Sequence, residues 1–411
     1  MRQIVKNFTD TDAYQFSVLY YILMNYPRAE VEYTFFDRND TVYPKGFAKL
    51  LKEQVNRMEE VILTDKECAF MKEKLYFLPE WFFTFLKGYR FNPYEVYITQ
   101  DEDGHLKITI RGKWYSAIMW EMPILSTISE LLHIINGDME NVDLASEWER
   151  AYQKAEKLLT NGVRFSDMGT RRRFSFDIQD KVLDAFISAT NTVPNKTGQF
   201  IGTSNVYFAM KYGLTCVGTM SHQIYSGEEC VSGLFECNYQ VMEKWRNTYK
   251  GALGIYLPDC FTTDLFLKNF SLDMAKLYDG PRIDSGKEEE EFCKFYDKYK
   301  ELGVDPATKA IVFSNALNVD RAIELHEFVN GRMKDSYGIG THFMADVINK
   351  LTKIKFAYSN IVIKLTKFRI TEKREWQDAV KLSNNKGKTL GNQDKCNFLL
   401  KQIYKKVHDA T

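Results

Sequence analysis

Beyond Thr160 the chain repeats one pattern: a short apolar run ends in Gly, Ser, Asp or Asn, and a helical segment follows. The strand-end segments are VRFSDMGTRR, FIGTSN, TCVGTMSH, GIYLPD, LYDGPRIDSG, AIVFSNAL and YGIGTHF. Such alternation marks parallel strands joined by crossover helices. Seven or eight units closing on themselves make an irregular α/β barrel, expected over residues 141–350.

Residues 1–140 follow a different rule. Thr9 or Thr11 is placed to cap a helix over Asp12–Asn25, and a strand over Glu30–Phe36 follows. Two or three short helices fill Phe47–Gly88. EVYITQ and HLKITIRG alternate with period two on either side of DEDG, which reads as a hairpin. This part is therefore α+β. A polar helix near Ala145–Thr160 leads into the barrel. YSNIVIKLTKF has strand character and DKCNFLLKQIYKKVHDA that of an amphipathic helix, but the pattern does not say which unit they join. KEEEEF reads as the solvated face of a helix.

The chain has 411 residues, 45% hydrophobic and 14% aromatic, enough for two packed units and too apolar for disorder. Lys plus Arg equals Asp plus Glu at 55 each, so no global field draws in nucleic acid or an anionic membrane. Any anionic ligand must be held locally. Seven scattered cysteines without CxxC spacing argue against a disulfide framework or a zinc site and read as buried free thiols. MRQIVKNFTDTDAYQF lacks the apolar core of a secretory signal and no 18 residues are consecutively apolar, so a cytoplasmic protein is expected.

In βα barrels the chemistry gathers at the carboxyl ends of the strands. Three arginines in GTRRR cannot all face one way on the following helix. They are either anion-gripping forks at the barrel mouth or a solvated helix start. RIDSG sets Arg282 and Asp284 on one strand face, for an anion and a Mg²⁺-bound pyrophosphate, or for an internal ion pair. Gly338, Gly340 and Thr341 of YGIGTHF have the composition of a backbone phosphate cradle, and Ser314 and Asn315 of FSNAL offer a small polar strand end beside it. His222 of GTMSH is a nucleophile toward phosphate, a general base or a structural group.

Together these motifs resemble the nicotinate phosphoribosyltransferase family. The match runs from TDAYQ through DMGTRRRFS, GTSNV, GTMSH, LPD with TTDLFL, and RIDSG to YGIGTH, in the family's order. The resemblance implies a type II phosphoribosyltransferase fold: an irregular α/β barrel, an N-terminal domain completed by part of residues 351–411, and a homodimer with shared active sites. It implies that Tyr14 reaches across the dimer to stack on the pyridine ring, and that Arg171, Arg172 and Arg282 grip carboxylate and phosphates. Asp259 and Asp284 would bind ribose hydroxyls or Mg²⁺-pyrophosphate, while Gly338, Gly340 and Thr341 hold the 5-phosphate. His222 matches the histidine that the family phosphorylates from ATP.

The implied substrates are nicotinate and phosphoribosyl pyrophosphate, with ATP as co-substrate. Met168 stands where the family usually has Phe, replacing half of an aromatic sandwich by a thioether. The related nicotinamide-specific family carries an aspartate at the position of Ser204 and GYRG in place of GTRR. A carboxylate there would repel nicotinate, whereas Ser204 does not. A non-catalytic barrel that senses phosphorylated metabolites would keep the anion-binding groups but has little use for a phosphorylatable histidine.

Overall fold

The computed structural model describes residues 2–385 and 389–408. Two sheets organise it. The strands β4 (Arg164–Asp167), β5 (Gln199–Thr203), β6 (Thr215–Cys216), β7 (Ile255–Tyr256), β8 (Gly280–Ile283), β9 (Ala310–Phe313) and β10 (Lys334–Ile339) form a parallel sheet in the order β6-β5-β4-β10-β9-β8-β7. All its pairings are parallel, as the βα repetition predicts. The sheet curls as a half-barrel. Among the described residues no ladder joins β6 to β7; instead Thr219 Oγ1 donates to the Ile255 carbonyl at 2.7 Å. Strands this short are buried on both faces, which is why their apolar runs are continuous rather than alternating.

The second sheet is antiparallel, ordered β12-β11-β1-β3-β2, from β1 (Glu30–Asp37), β2 (Val96–Gln100), β3 (Leu106–Lys113), β11 (Ile361–Arg369) and β12 (Gln377–Asp378). The expected hairpin is β2–β3, paired from Val96↔Ile110 to Gln100↔Leu106. YSNIVIKLTKF supplies β11, which pairs along β1 from Glu30↔Arg369 to Asp37↔Ile361. Strands distant in sequence thus complete the N-terminal sheet. The C-terminal helix Gln393–His408 packs on the barrel helix Thr263–Lys268, with Lys395 bonded to the Asp378 carbonyl; residues 409 and 410, the end of the expected amphipathic helix, lie outside the described residues.

Three local expectations are corrected. The first helix is Tyr14–Asn25, and neither Thr9 nor Thr11 caps it. Thr9 Oγ1 donates to Glu67 Oε1 at 2.6 Å instead, while the amide of Ala13 is taken by the Ser204 carbonyl at 2.7 Å. A tertiary contact has replaced the local cap. The glutamates of KEEEEF are not uniformly solvated: Glu288 and Glu291 are buried and paired with Arg321 and Lys294. All seven cysteines are free, but Cys293 is exposed rather than buried. Among the described residues one helical run, Trp114–Ile135, is long and apolar enough to cross a membrane by length and composition, yet it lies in the core, with 83% of its apolar window buried. Its first residues pack against Tyr26 and Phe368, linking the two sheets' interiors into one continuous hydrophobic core.

Candidate active site

A cavity of about 870 Å³ opens where the carboxyl ends of the parallel strands face β1 and β11. Its inner end is built on Ser204, just past β5. The Ser204 amide donates to the Asp167 carbonyl at 2.8 Å, and its Oγ donates to Asp12 Oδ1 at 2.7 Å. The TDAYQ segment is thereby stitched to the barrel. Burial raises the Asp12 carboxyl above its usual range, opposed by hydrogen bonds from Ser204 and Thr170 and by the charge of Arg171.

Tyr14, two residues on, lines the same cavity. Its helix is seated beside β5 of the same chain, through the Ala13 amide on the Ser204 carbonyl and the Asp12–Asn205 bridge.

Met168 follows β4 directly and shows what the glycines of YGIGTH are for. A Cβ on Gly338 would collide with Met168 Sδ, and one on Gly340 would come within 2.8 Å of the Met168 carbonyl oxygen. The glycines let the ends of β4 and β10 converge, a stricter demand than the phosphate approach expected of them. Both still line the cavity with Thr341.

The GTRRR run divides. Arg171 and Arg172 line the cavity, together with Arg38 from the end of β1 and Arg282 from β8. Among the described residues none of these four is in an ion pair, and Arg282 Nε is buried with no hydrogen-bond partner. Burial and the neighbouring charges of Arg171 and Arg38 lower Arg172 to about 9. Guanidinium groups held together against their own repulsion, with no protein carboxylate in ion-pair contact, form a site for an anion that arrives from outside. Arg173 is different. It is 0% exposed and makes a bidentate pair with Asp10 at 2.7 and 2.8 Å, so it belongs to the frame.

At the opposite wall stands His222. Its Nε2 lies 2.8 Å from Asp259 Oδ1 and 3.7 Å from Asp284 Oδ2. Burial, reinforced by the ammonium of Lys381, lowers His222 to about 4, so the imidazole is neutral at physiological pH. Asp259 was expected to touch ribose or Mg²⁺. It is 1% exposed and absent from the cavity wall, with Oδ1 on His222 and Oδ2 accepting from Ser285 Oγ at 2.5 Å. The charges of His222 and Lys381 hold it at about 2 despite burial. Asp259 therefore orients the histidine, whereas Asp284 faces the cavity and accepts from Ser314 Oγ at 3.2 Å. Asn315 also misses the cavity wall: its amide donates to the Gly286 carbonyl and Glu288 Oε1, bracing the RIDSG turn.

Among the lining residues that escaped sequence reasoning are Arg38, Glu121, Lys364 and Lys381. None sits in a glycine-rich strand end. Lys364 on β11 and Lys381 beyond it reach the cavity because the antiparallel sheet lies over the barrel mouth, a placement no local pattern encodes. Burial lowers Lys364 to about 8, resisted by the carboxylate of Glu121.

Comparison with known proteins agrees with this geometry. The model of the nicotinate phosphoribosyltransferase (NAPRTase) family matches residues 163–408, and that of the family's N-terminal domain matches residues 9–129. The chain belongs to the nicotinate phosphoribosyltransferase family. A nicotinate phosphoribosyltransferase of Desulforapulum autotrophicum is 37% identical over 403 residues, covering 97% of this chain and 99% of the relative. The crystal structure of the Porphyromonas gingivalis nicotinate phosphoribosyltransferase superposes with a TM-score of 0.91 at 37% identity, over 97% of this chain and 100% of that one. A structure of a putative nicotinate phosphoribosyltransferase from Saccharomyces cerevisiae also gives 0.91, at 31% identity, over 98% and 99% of the two chains. Family membership accounts for both the half-barrel and the second sheet laid across its mouth.

Proposed function

We propose that this chain forms nicotinate mononucleotide and pyrophosphate from nicotinate and phosphoribosyl pyrophosphate in the cytoplasm. The observation that carries the reading is the convergence, in one cavity, of unpaired arginines, the Asp284–His222 wall and the converging strand ends at Gly338 and Gly340. Nicotinate would lie at the inner end, its carboxylate near Arg171 and its ring beside Tyr14 and Met168. Arg172, Arg282 and Thr341 would take the donor's phosphates. The pyridine lone pair attacks the anomeric carbon as the bond to pyrophosphate breaks, so no general base is required. Positioning and charge compensation are what the chain must supply.

Mg²⁺ fits this cavity through one carboxylate. It prefers oxygen ligands and commonly binds through one or two carboxylates plus substrate phosphates. Asp284 offers such an oxygen, whereas Asp259 would first have to give up His222 and Ser285. Mg²⁺ held by Asp284 would neutralise the departing pyrophosphate.

ATP enters through His222. With Nε2–H donated to Asp259, the lone pair lies on Nδ1, the atom that would take a phosphoryl group and later lose it to water. A homodimer with shared active sites remains part of this reading.

Steady-state assay of the full chain with both substrates tests the proposal: release of pyrophosphate with formation of nicotinate mononucleotide is expected, and no release would overturn it. His222→Ala should abolish nicotinate-dependent ATP hydrolysis while ATP-independent transfer persists. An unchanged ATPase rate would show that another residue carries the phosphoryl group.

A further inference from the structure

Glu121 opens the helix Glu121–Ile135 and is 5% exposed, yet its side chain borders the cavity. A carboxylate in such a place needs partners. Among the described residues it has no ion pair within 4 Å; Oε2 instead accepts from the Tyr14 hydroxyl at 3.0 Å and from Gln15 Nε2 at 3.2 Å. Gln15 Nε2 also lies 3.3 Å from the Tyr14 hydroxyl oxygen, so the three side chains close a triangle. The Tyr14 hydroxyl thus commits its proton to Glu121 and a lone pair to Gln15. Burial and the Glu121 charge keep the phenol protonated.

The other end of the tyrosine is held as well. Gly218, at φ +126°, brings the GTMSH backbone against the root of Tyr14, where a Cβ would lie 3.4 Å from the Tyr14 amide nitrogen and 3.6 Å from its Cβ. A ring held at its root and at its hydroxyl cannot swing away from the cavity, and with its polar tip engaged it offers the cavity its aromatic surface. Flat aromatic ligands reward such a surface, because stacking depends on the angle and offset of the rings.

We propose that Glu121 is a positioning residue for pyridine recognition, holding the Tyr14 ring in place through its hydroxyl without touching substrate. This rests on reading the inner end of the cavity as the nicotinate site. Removing the acceptor frees the ring to turn, so nicotinate binding weakens while the phosphoribosyl donor, held by the arginines, is unaffected.

The test measures KM for each substrate in the full chain carrying Glu121→Ala, Glu121→Asp, Glu121→Gln, Tyr14→Phe and the Glu121→Ala/Tyr14→Phe pair. The Ala and Asp variants should raise the nicotinate KM about tenfold, the factor for one hydrogen bond to a charged acceptor, with the donor KM within about twofold. The Asp variant keeps the charge but loses the reach, and it tests the role even where Ala disturbs folding. Glu121→Gln should stay close to the parent, because its amide oxygen still accepts from Tyr14. In the Tyr14→Phe background Glu121→Ala should add less than about twofold, since the path it acts through is gone. Additive losses in the pair, or equal rises in both KM values, would overturn the role of Glu121. Absence of any transfer by the parent chain would instead overturn the function on which it rests.

Discussion

Arg173 and its neighbours Arg171 and Arg172 come from one run of sequence and end in opposite electrostatic worlds. Around Arg173 the terminal nitrogens are answered within the protein, and Nε, without a hydrogen bond, has Glu130 Oε2 at 3.9 Å. Asp10 takes both its terminal nitrogens, Gln179 and Asn205 bridge on to Asp10, Asp167 and Thr170, and Thr203 Oγ1 donates to Asp167. Around Arg171 and Arg172 other cations crowd, Arg38 among them, while Asp12 and Asp284 act on them through charge without an ion pair. A buried charge that is paired belongs to the frame, while buried like charges left together await a ligand. The chain keeps the two kinds one residue apart, so the frame fixes the geometry of the site directly.

The sharpest way to break that contrast is to delete each arginine. Arg173→Ala leaves Asp10 buried and unpaired and should cost about 3–5 kcal/mol of stability in chemical denaturation. Arg171→Ala should cost no more than about 1 kcal/mol, because Asp12 keeps its hydrogen bonds from Ser204 and Thr170 when the neighbouring charge is lost. It should nonetheless lower kcat/KM about a hundredfold, the scale of losing one preorganised donor. Equal destabilisation by both substitutions would erase the distinction.

This contrast also marks how far the sequence could be read. The seven βα units were legible because their apolar runs are continuous and each ends in small polar residues. The hairpin at DEDG was legible for the same local reason. His222, Asp284, Arg171 and Ser204 were legible because they sit at strand ends within named motifs. Arg173 was indistinguishable from its neighbours, since its meaning depends on Asp10, which arrives from the other end of the chain. Lys364, Lys381 and Glu121 were hidden for a related reason: β11 and the helix Glu121–Ile135 reach the cavity only through tertiary packing. Asp259 lay in a visible motif, but the pairing that turns it away from substrate was not visible.

A smaller effect sharpens the comparison through pH. His222 is lowered to about 4 from 6.5, so between these values the unfolded chain binds a proton that the folded chain refuses. Stability contributed by this group is present above pH 6.5 and is lost as pH falls toward 4. Asp259, at about 2 instead of 3.8, adds a further loss only as pH drops below 3.8. Denaturation midpoints followed from pH 7 to 4 should fall less steeply in His222→Asn, which keeps a donor for Asp259 but does not titrate. Parallel curves for the two proteins would show that the imidazole is not held neutral.

The smallest expected effect concerns the choice of base, where the structure alters the electrostatic argument. Ser204 was taken to spare nicotinate the repulsion of a carboxylate, yet its hydroxyl donates to the carboxylate of Asp12 at the same end of the cavity. The inner end therefore already contains one acid, kept tolerable by Ser204, Thr170 and Arg171. Ser204→Asp would remove a donor from Asp12 and set a second carboxylate against it, and two such groups in contact cannot both stay ionised. One would take up a proton or draw Arg171 toward itself, leaving less positive charge for nicotinate. The ratio of kcat/KM for nicotinate over nicotinamide should fall severalfold, with most of the change in the nicotinate KM. Ser204→Ala provides the control, because it removes the donor without adding charge. Should it shift the ratio as far as Ser204→Asp does, discrimination lies in how Asp12 is held and not in the charge at position 204.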